Sequence, residues 1–269
     1  PDGRLLAAAH IDGVARLWDL QTRGEVASLR GHGEAKCFDK IADVHAVTFA
    51  PDGRALATAG HGSVKVWDAA TWREIVSVTG DTMAFSPDGR VLATGLRDGS
   101  VTLWEVPTGR LLAWRDRNTE VPTGGLVVRD WDCEKPVCEA PLVAYSPDGG
   151  LLAIHRWAFI EVRRILRGDS GAQWAIGDLM RVFALPYRTL GLPAISLAFS
   201  DDGRQLAASA GAGGMVWDLE TSEGVWQAVF PWVLVSAIAL APEGGAVATA
   251  GPVGAYLWNL PDAPTARGR

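Results

Sequence analysis

The chain has 269 residues, 48% hydrophobic and 21% charged, which is the balance of a folded globular protein and excludes a mostly disordered one. Its 25 Lys and Arg against 31 Asp and Glu leave a formal charge of −6, and only four of the basic residues are lysines, so no polycationic surface is expected for nucleic acid. The longest apolar runs, such as 228–240 with Pro231 inside it, fall short of the roughly 20 residues of a membrane helix, and no membrane partner is expected.

One phrase recurs in chain order: PDGRLLA at Pro1, PDGRALATAG at Pro51, SPDGRVLATG at Ser86, SPDGGLLAI at Ser146, SDDGRQLAAS at Ser200 and APEGGAVATAG at Ala241. Its turns fall near residues 1, 51, 87, 147, 201 and 242, spaced by 50, 36, 60, 54 and 41 residues. A second phrase follows 16 or 17 residues later, as Trp18-Asp19, Trp67-Asp68, Trp104-Glu105, Trp217-Asp218 and Trp258-Asn259, with Arg163-Arg164 in the fourth copy.

The segments between these marks read as strands. Val47-Thr48-Phe49, Met83-Ala84-Phe85 and Leu197-Ala198-Phe199 alternate with period two ahead of the turn phrase, which predicts a strand, here strand a. In Pro-Asp-Gly, proline fixes φ, aspartate bonds the backbone and glycine tolerates positive φ, so the phrase predicts a hairpin turn. Strand b follows, rich in Leu and Ala, then a second turn at Asp12-Gly13, His61-Gly62, Asp98-Gly99 or Gly213-Gly214, then strand c ending on Trp-Asp. A polar turn such as Gln21–Glu25 leads into strand d, here Val26–Leu29.

Each repeat is therefore expected to be a four-stranded antiparallel meander. Small sheets of this kind are marginal alone and must stack. Small residues on strand b and large ones on strands a and c suit sheets packed face to face around an axis. The predicted fold is all-β, a β-propeller of about six blades over residues 1–260. Strand a of the first blade and strand d of the last are missing, which leaves about 22 strands, and residues 261–269 read as a tail or linker. Insertions are expected at 36–43, 115–139 and 168–192, the last holding a displaced strand d or looping out. With Pro1 in place of an initiator Met, the chain reads as a segment of a longer product.

The pairing of turn phrase and Trp-Asp ending resembles the WD-repeat β-propeller family over nearly the whole chain, and the Ala/Arg/Gly-rich composition resembles its degenerate bacterial repeats. The resemblance implies a parent of seven blades and structural roles for Trp18, Trp67, Trp104, Trp217 and Trp258. It also implies a Gly-His pair before strand a, hydrogen-bonded by an aspartate of the b–c turn. Gly-His occurs once, at Gly31-His32, about eight residues earlier than its strand requires, and the aspartate only at Asp12 and Asp98.

Catalytic signals are sparse. No GxxxxGK[ST], GxGxxG or GxSxG segment is found, which argues against nucleotide binding and serine hydrolysis. Cys133 and Cys138 lack the second ligand pair of a structural zinc site, and with Cys37 they make a poor disulfide framework, favouring a reducing cytoplasm. Strand a would line an axial channel, yet its polar residues are His45, Thr48, Thr82, Ser196 and Ser236, without a carboxylate. No metal, cofactor or enzymatic activity is expected.

The expected function is a non-catalytic scaffold that binds a protein or peptide on the face of its d–a and b–c loops. The residues expected there are His10, Asp12, His61, Arg97, Arg156 and Trp157, joined by His32, with Arg97 and Arg156 suited to an acidic peptide. His10, His61 and His155 are expected in solvated or capping positions beside b–c turns. The alternative is the sensor or regulatory propeller of a larger bacterial kinase or NTPase; a propeller enzyme ranks below both.

Overall fold

A computed structural model describes residues 1–32, 44–60, 62–115, 141–156, 159–168, 174–185, 194–210, 213–229, 235–242, 245–252 and 254–261. Among these the regular elements are all strands, grouped in six antiparallel sheets. Sheet 1 contains β1 (Leu5–Ala9), β2 (Val14–Asp19) and β3 (Glu25–Arg30), and sheet 2 β4 (Ala46–Phe49), β5 (Ala55–Gly60), β6 (Ser63–Asp68) and β7 (Glu74–Thr79). Sheet 3 contains β8 (Thr82–Phe85), β9 (Val91–Gly95), β10 (Val101–Glu105) and β11 (Leu111–Arg115), and sheet 4 β12 (Val143–Tyr145), β13 (Leu151–Arg156), β14 (Phe159–Arg167) and β15 (Trp174–Ala184). Sheet 5 contains β16 (Ala194–Phe199), β17 (Gln205–Ala210), β18 (Gly213–Asp218) and β19 (Gly224–Val229), and sheet 6 β20 (Ala237–Leu240), β21 (Ala246–Gly251) and β22 (Gly254–Asn259).

Every sheet is a meander with strands paired in chain order, the makeup of a WD-repeat propeller blade. The strands number 22 among the described residues, and sheets 1 and 6 have three strands each, as the repeat arithmetic predicts. Of the two alternatives for residues 168–192, the strand is present, as the 11-residue β15. Gly213-Gly214, expected in a turn, instead opens β18 and pairs with Ala210 and Ser209.

The turn chemistry explains the repeated phrases. In the a–b turns Asp2, Asp52, Asp88, Asp148 and Asp202 each accept the N–H two residues on. The following glycines Gly3, Gly53, Gly89, Gly149 and Gly203 have φ of 69–73°, a region open to glycine at no steric cost. The aspartate of Trp-Asp closes the next turn: Asp19 Oδ1 accepts the N–H groups of Gln21 and Thr22, Asp68 Oδ1 those of Ala70 and Thr71, and Asp218 Oδ1 those of Glu220 and Thr221. The Thr22 N–H and the Arg4 guanidinium hold Asp19, and the Thr71 hydroxyl with the Thr71 N–H holds Asp68, below the usual carboxylate range.

The tryptophan sits at a fixed register. Trp18 faces Leu6, Trp67 Leu56, Trp104 Leu92, Trp217 Leu206 and Trp258 Val247 across strands b and c. Strand d then shifts register at Trp18, Trp67, Trp104 and Trp217, a bulge that raises the local twist.

The chain divides into two compact units. One, Pro1–Val143 with Arg167–Ile176, has cores around Leu17, Leu56 and Trp67 and around Ala57, Val66 and Leu92. The other, Ala144–Leu166 with Gly177–Arg269, has a core around Ala207, Val216 and Val247. Strand b contributes small side chains at zero exposure, as at Ala57, Ala59, Ala93 and Ala207, which lets neighbouring layers approach closely.

Candidate interaction face

In a meander the b–c turns and d–a connections share one end of the sheet. Beneath that end, sheet 2 holds a buried polar relay. The Trp67 indole donates to Thr58 Oγ1 at 2.9 Å, and Thr58 Oγ1 lies 2.7 Å from His32 Nε2. His32 Nδ1 lies 3.2 Å from the Gly60 carbonyl. That carbonyl can only accept, so the proton belongs on Nδ1, and Nε2 accepts from threonine. All three side chains are buried, and burial pushes the imidazole below the ordinary histidine range. His32 therefore does not belong to an exposed binding face. Its early place in the sequence does not keep it from the network, because its contacts are to strands b and c.

Sheet 3 puts a charged pair where sheet 2 has a neutral relay. Gly80-Asp81 follows β7 where Gly31-His32 follows β3, and Asp81 accepts the Arg97 N–H at 3.3 Å and Arg97 Nε at 3.2 Å. Asp81 is 9% and Arg97 69% exposed, so a buried carboxylate anchors an outward guanidinium on the b–c turn. Asp98, in the family's aspartate position, caps its own turn through the N–H and hydroxyl of Ser100. Asp12 does likewise, accepting the Val14 N–H and pairing with Arg16 at 2.6 Å, and the Arg16 guanidinium lowers its pKa. The His10 carbonyl accepts from Gly13 and Val44, and its ring lies 6.4 Å from that of Trp18.

Of the expected face residues, His10, Asp12 and Arg97 thus sit at the b–c ends of their sheets, and among the described residues no hydrogen bond joins the first two to the third. Arg156 ends β13; its side chain, like His61, Trp157 and all three cysteines, lies outside the described residues. Asp81 was not expected, although Gly80-Asp81 at the Gly-His position is a readable signal. His155, expected in a solvated or capping position, is buried in β13.

Sheet 4 replaces the tryptophan with charge. Arg163 faces Leu152 as Trp67 faces Leu56, and its guanidinium is 5% exposed. Arg163 Nε lies 2.5 Å from the buried Glu161 carboxylate, and Nη1 donates to the Gly177 carbonyl at 3.2 Å. On the strands expected to line a channel, four of the five polar side chains, those of His45, Thr48, Thr82 and Ser196, have backbone partners. His45 Nε2 lies 2.6 Å from the Asp81 carbonyl, Thr82 donates to the Pro141 carbonyl, and Ser196 donates to that of Ile238.

Residues 24–68 and 76–105 match the family described as "WD domain, G-beta repeat". The chain is 28% identical over 205 residues to telomerase protein component 1 of Rattus norvegicus, covering 64% of this chain and 8% of that protein. It is 29% identical over 132 residues to WD repeat-containing protein VIP3 of Arabidopsis thaliana, with 42% and 39% covered. It is 30% identical over 118 residues to small ribosomal subunit protein RACK1y of Oryza sativa subsp. japonica, with 39% and 32% covered. The chain thus spans less than half the length of each. With a Trp-Asp turn cap in three of the six repeats and one antiparallel sheet for each, the chain carries WD-type G-beta repeats over the matched residues.

Proposed function

We propose that this chain is a non-catalytic interaction scaffold whose b–c and d–a loop end binds an acidic peptide segment of a partner protein. The observation that carries this reading is Arg97, an exposed guanidinium held on its turn by a buried carboxylate. Arginine is a favoured interface anchor, and its fork matches carboxylates. His10 and Asp12 lie at the same b–c end of the first sheet, and His61, Arg156 and Trp157 are the further positions that the repeat pattern assigns to a binding role. The likeness to named WD-repeat proteins supports a binding role. The engaged polar groups of strand a support a role without catalysis. The cysteine pattern supports placement in a reducing cytoplasm.

A regulatory segment of a bacterial signalling protein draws no support from the rat, Arabidopsis and rice relatives. The test is an array of acidic and scrambled peptides probed with the wild-type chain and with Arg97→Ala/Arg156→Ala/Trp157→Ala. The variant should lose the acidic spots while keeping its circular dichroism spectrum. An unchanged pattern would overturn the assignment.

A further inference from the structure

The opposite end of sheets 1 and 2, where the a–b and c–d turns lie, carries a cleft of about 500 Å³, within the usual range of ligand pockets. Phe49, Val26 and Trp72 form its apolar wall, and Asp2, Asp19 and Asp52 its acidic side. Asp19 is fully engaged, buried under two backbone N–H groups and the Arg4 guanidinium at 3.0 Å. Arg4 thereby neutralises Asp19, whereas Asp2 and Asp52 are exposed to solvent and pair with no cation among the described residues, the Asp52 carboxylate resting against the Gly89 turn.

Asp52 differs from its counterparts for a reason visible in the chain. In three other repeats the residue two positions earlier is serine, whose hydroxyl donates to the turn aspartate: Ser86 to Asp88 at 2.6 Å, Ser146 to Asp148 at 2.5 Å and Ser200 to Asp202 at 2.6 Å. Asp88 also lies 3.6 Å from Arg167. Ahead of Asp52 stands Ala50, with no hydroxyl to give. Asp52 and Asp2 each use Oδ1 for a single turn N–H, of Arg54 and Arg4, at 3.0 Å, and Oδ2 of each has no partner among the described residues.

The apolar wall is equally particular to this place. Trp72 has φ of 57° at the left-handed position of its c–d turn, which Gly109 occupies in the next repeat. A Cβ on Gly109 would come 2.3 Å from Val76 Cγ2, so between sheets 2 and 3 the corresponding space is closed. Between sheets 1 and 2 a half-buried indole rests on the Leu17 and Trp67 core and leaves the cleft beside it.

We propose that this cleft docks a basic peptide segment. The alkyl stem of one arginine lies against Trp72 and Phe49, and its guanidinium lies between Asp2 and Asp52. An aromatic face and two carboxylate oxygens complement that side chain along its whole length. This surface is separate from the loop end and acts independently of it.

The experiment titrates the full chain by calorimetry with a capped Ala-Leu-Arg-Leu-Ala peptide and its counterpart with Glu for Arg. Saturable binding of the arginine peptide alone is expected. Asp2→Asn/Asp52→Asn should weaken it about tenfold. Ala50→Ser, which restores the serine clasp, should weaken it severalfold, and Arg97→Ala should leave it unchanged. Absence of saturable binding, equal binding of both peptides, wild-type affinity in the Asn variant, or loss in Arg97→Ala would each overturn the proposal.

Discussion

The second and fourth repeats solve one packing problem with opposite chemistry. Both place a large side chain on strand c across from a buried leucine of strand b. In the second it is Trp67, tied to a neutral chain of threonine and histidine; in the fourth it is Arg163, tied to Glu161. An indole contributes apolar area and needs one acceptor. A guanidinium must be compensated at every face that water has left. The register is thus a property of the repeat, and the chemistry placed there is a property of its neighbours.

The comparison is broken most severely by separating the ion pair. Glu161→Ala leaves a buried guanidinium uncompensated and should cost about 3–5 kcal/mol, whereas Glu161→Leu with Arg163→Met should be near neutral. Urea unfolding at pH 7 distinguishes them, and a loss under ~1 kcal/mol for the single variant would show that the pair is solvated.

Trp67→Phe keeps a ring in the second repeat and removes only the indole N–H. It should cost roughly 1–2 kcal/mol in the same assay from the lost hydrogen bond and the smaller ring. A loss as large as that of Glu161→Ala would mean that the relay is worth more than its separate bonds.

Acid sharpens the comparison. The His32 pKa is lowered in the folded chain from 6.5, so the unfolded chain binds the proton more readily. The stabilisation is present above pH 6.5 and is lost as pH falls below it. Amide exchange in β5 and β6 should therefore accelerate as pH drops from 6.5 towards 5, beyond the change in intrinsic rate, and more than in β13 and β14. His32→Gln should remove the difference, and its persistence in that variant would assign the effect elsewhere.

The smallest effect is expected at Arg97. Its guanidinium is largely exposed but the Asp81 carboxylate it pairs with is buried, and the Arg97 N–H still donates to that carboxylate in the variant, so Arg97→Ala should cost about 1 kcal/mol in urea unfolding. A larger loss would make Arg97 a structural member of sheet 3 and remove it from the binding face.

Much of this was readable beforehand. Proline, aspartate and glycine act through their own backbone, so the a–b turns were legible, and alternation located most strands and both three-stranded sheets. Arg163 could be placed in the tryptophan register by counting, but its burial could not, because compensation by Glu161 and the Gly177 carbonyl is a fact of space. β15 was ambiguous because Trp174–Ala184 lacks clean period-two alternation. The candidate site was less legible. Asp81 anchors Arg97 from 16 residues away, and the cleft depends on turns of two repeats meeting across an interface that no local pattern encodes.

The left-handed residues of the c–d turns have a consequence for how such a chain changes over time. Arg23, Trp72 and Ser222 hold φ of 57–66°, where Gly109 serves in the third repeat. Glycine at any of the three would relieve backbone strain of order 1 kcal/mol. The protein forgoes that margin three times and keeps three unlike side chains at equivalent stations around the repeats. A substitution at such a station alters surface chemistry while leaving the strands it joins untouched, so divergence can proceed there without refolding the sheet.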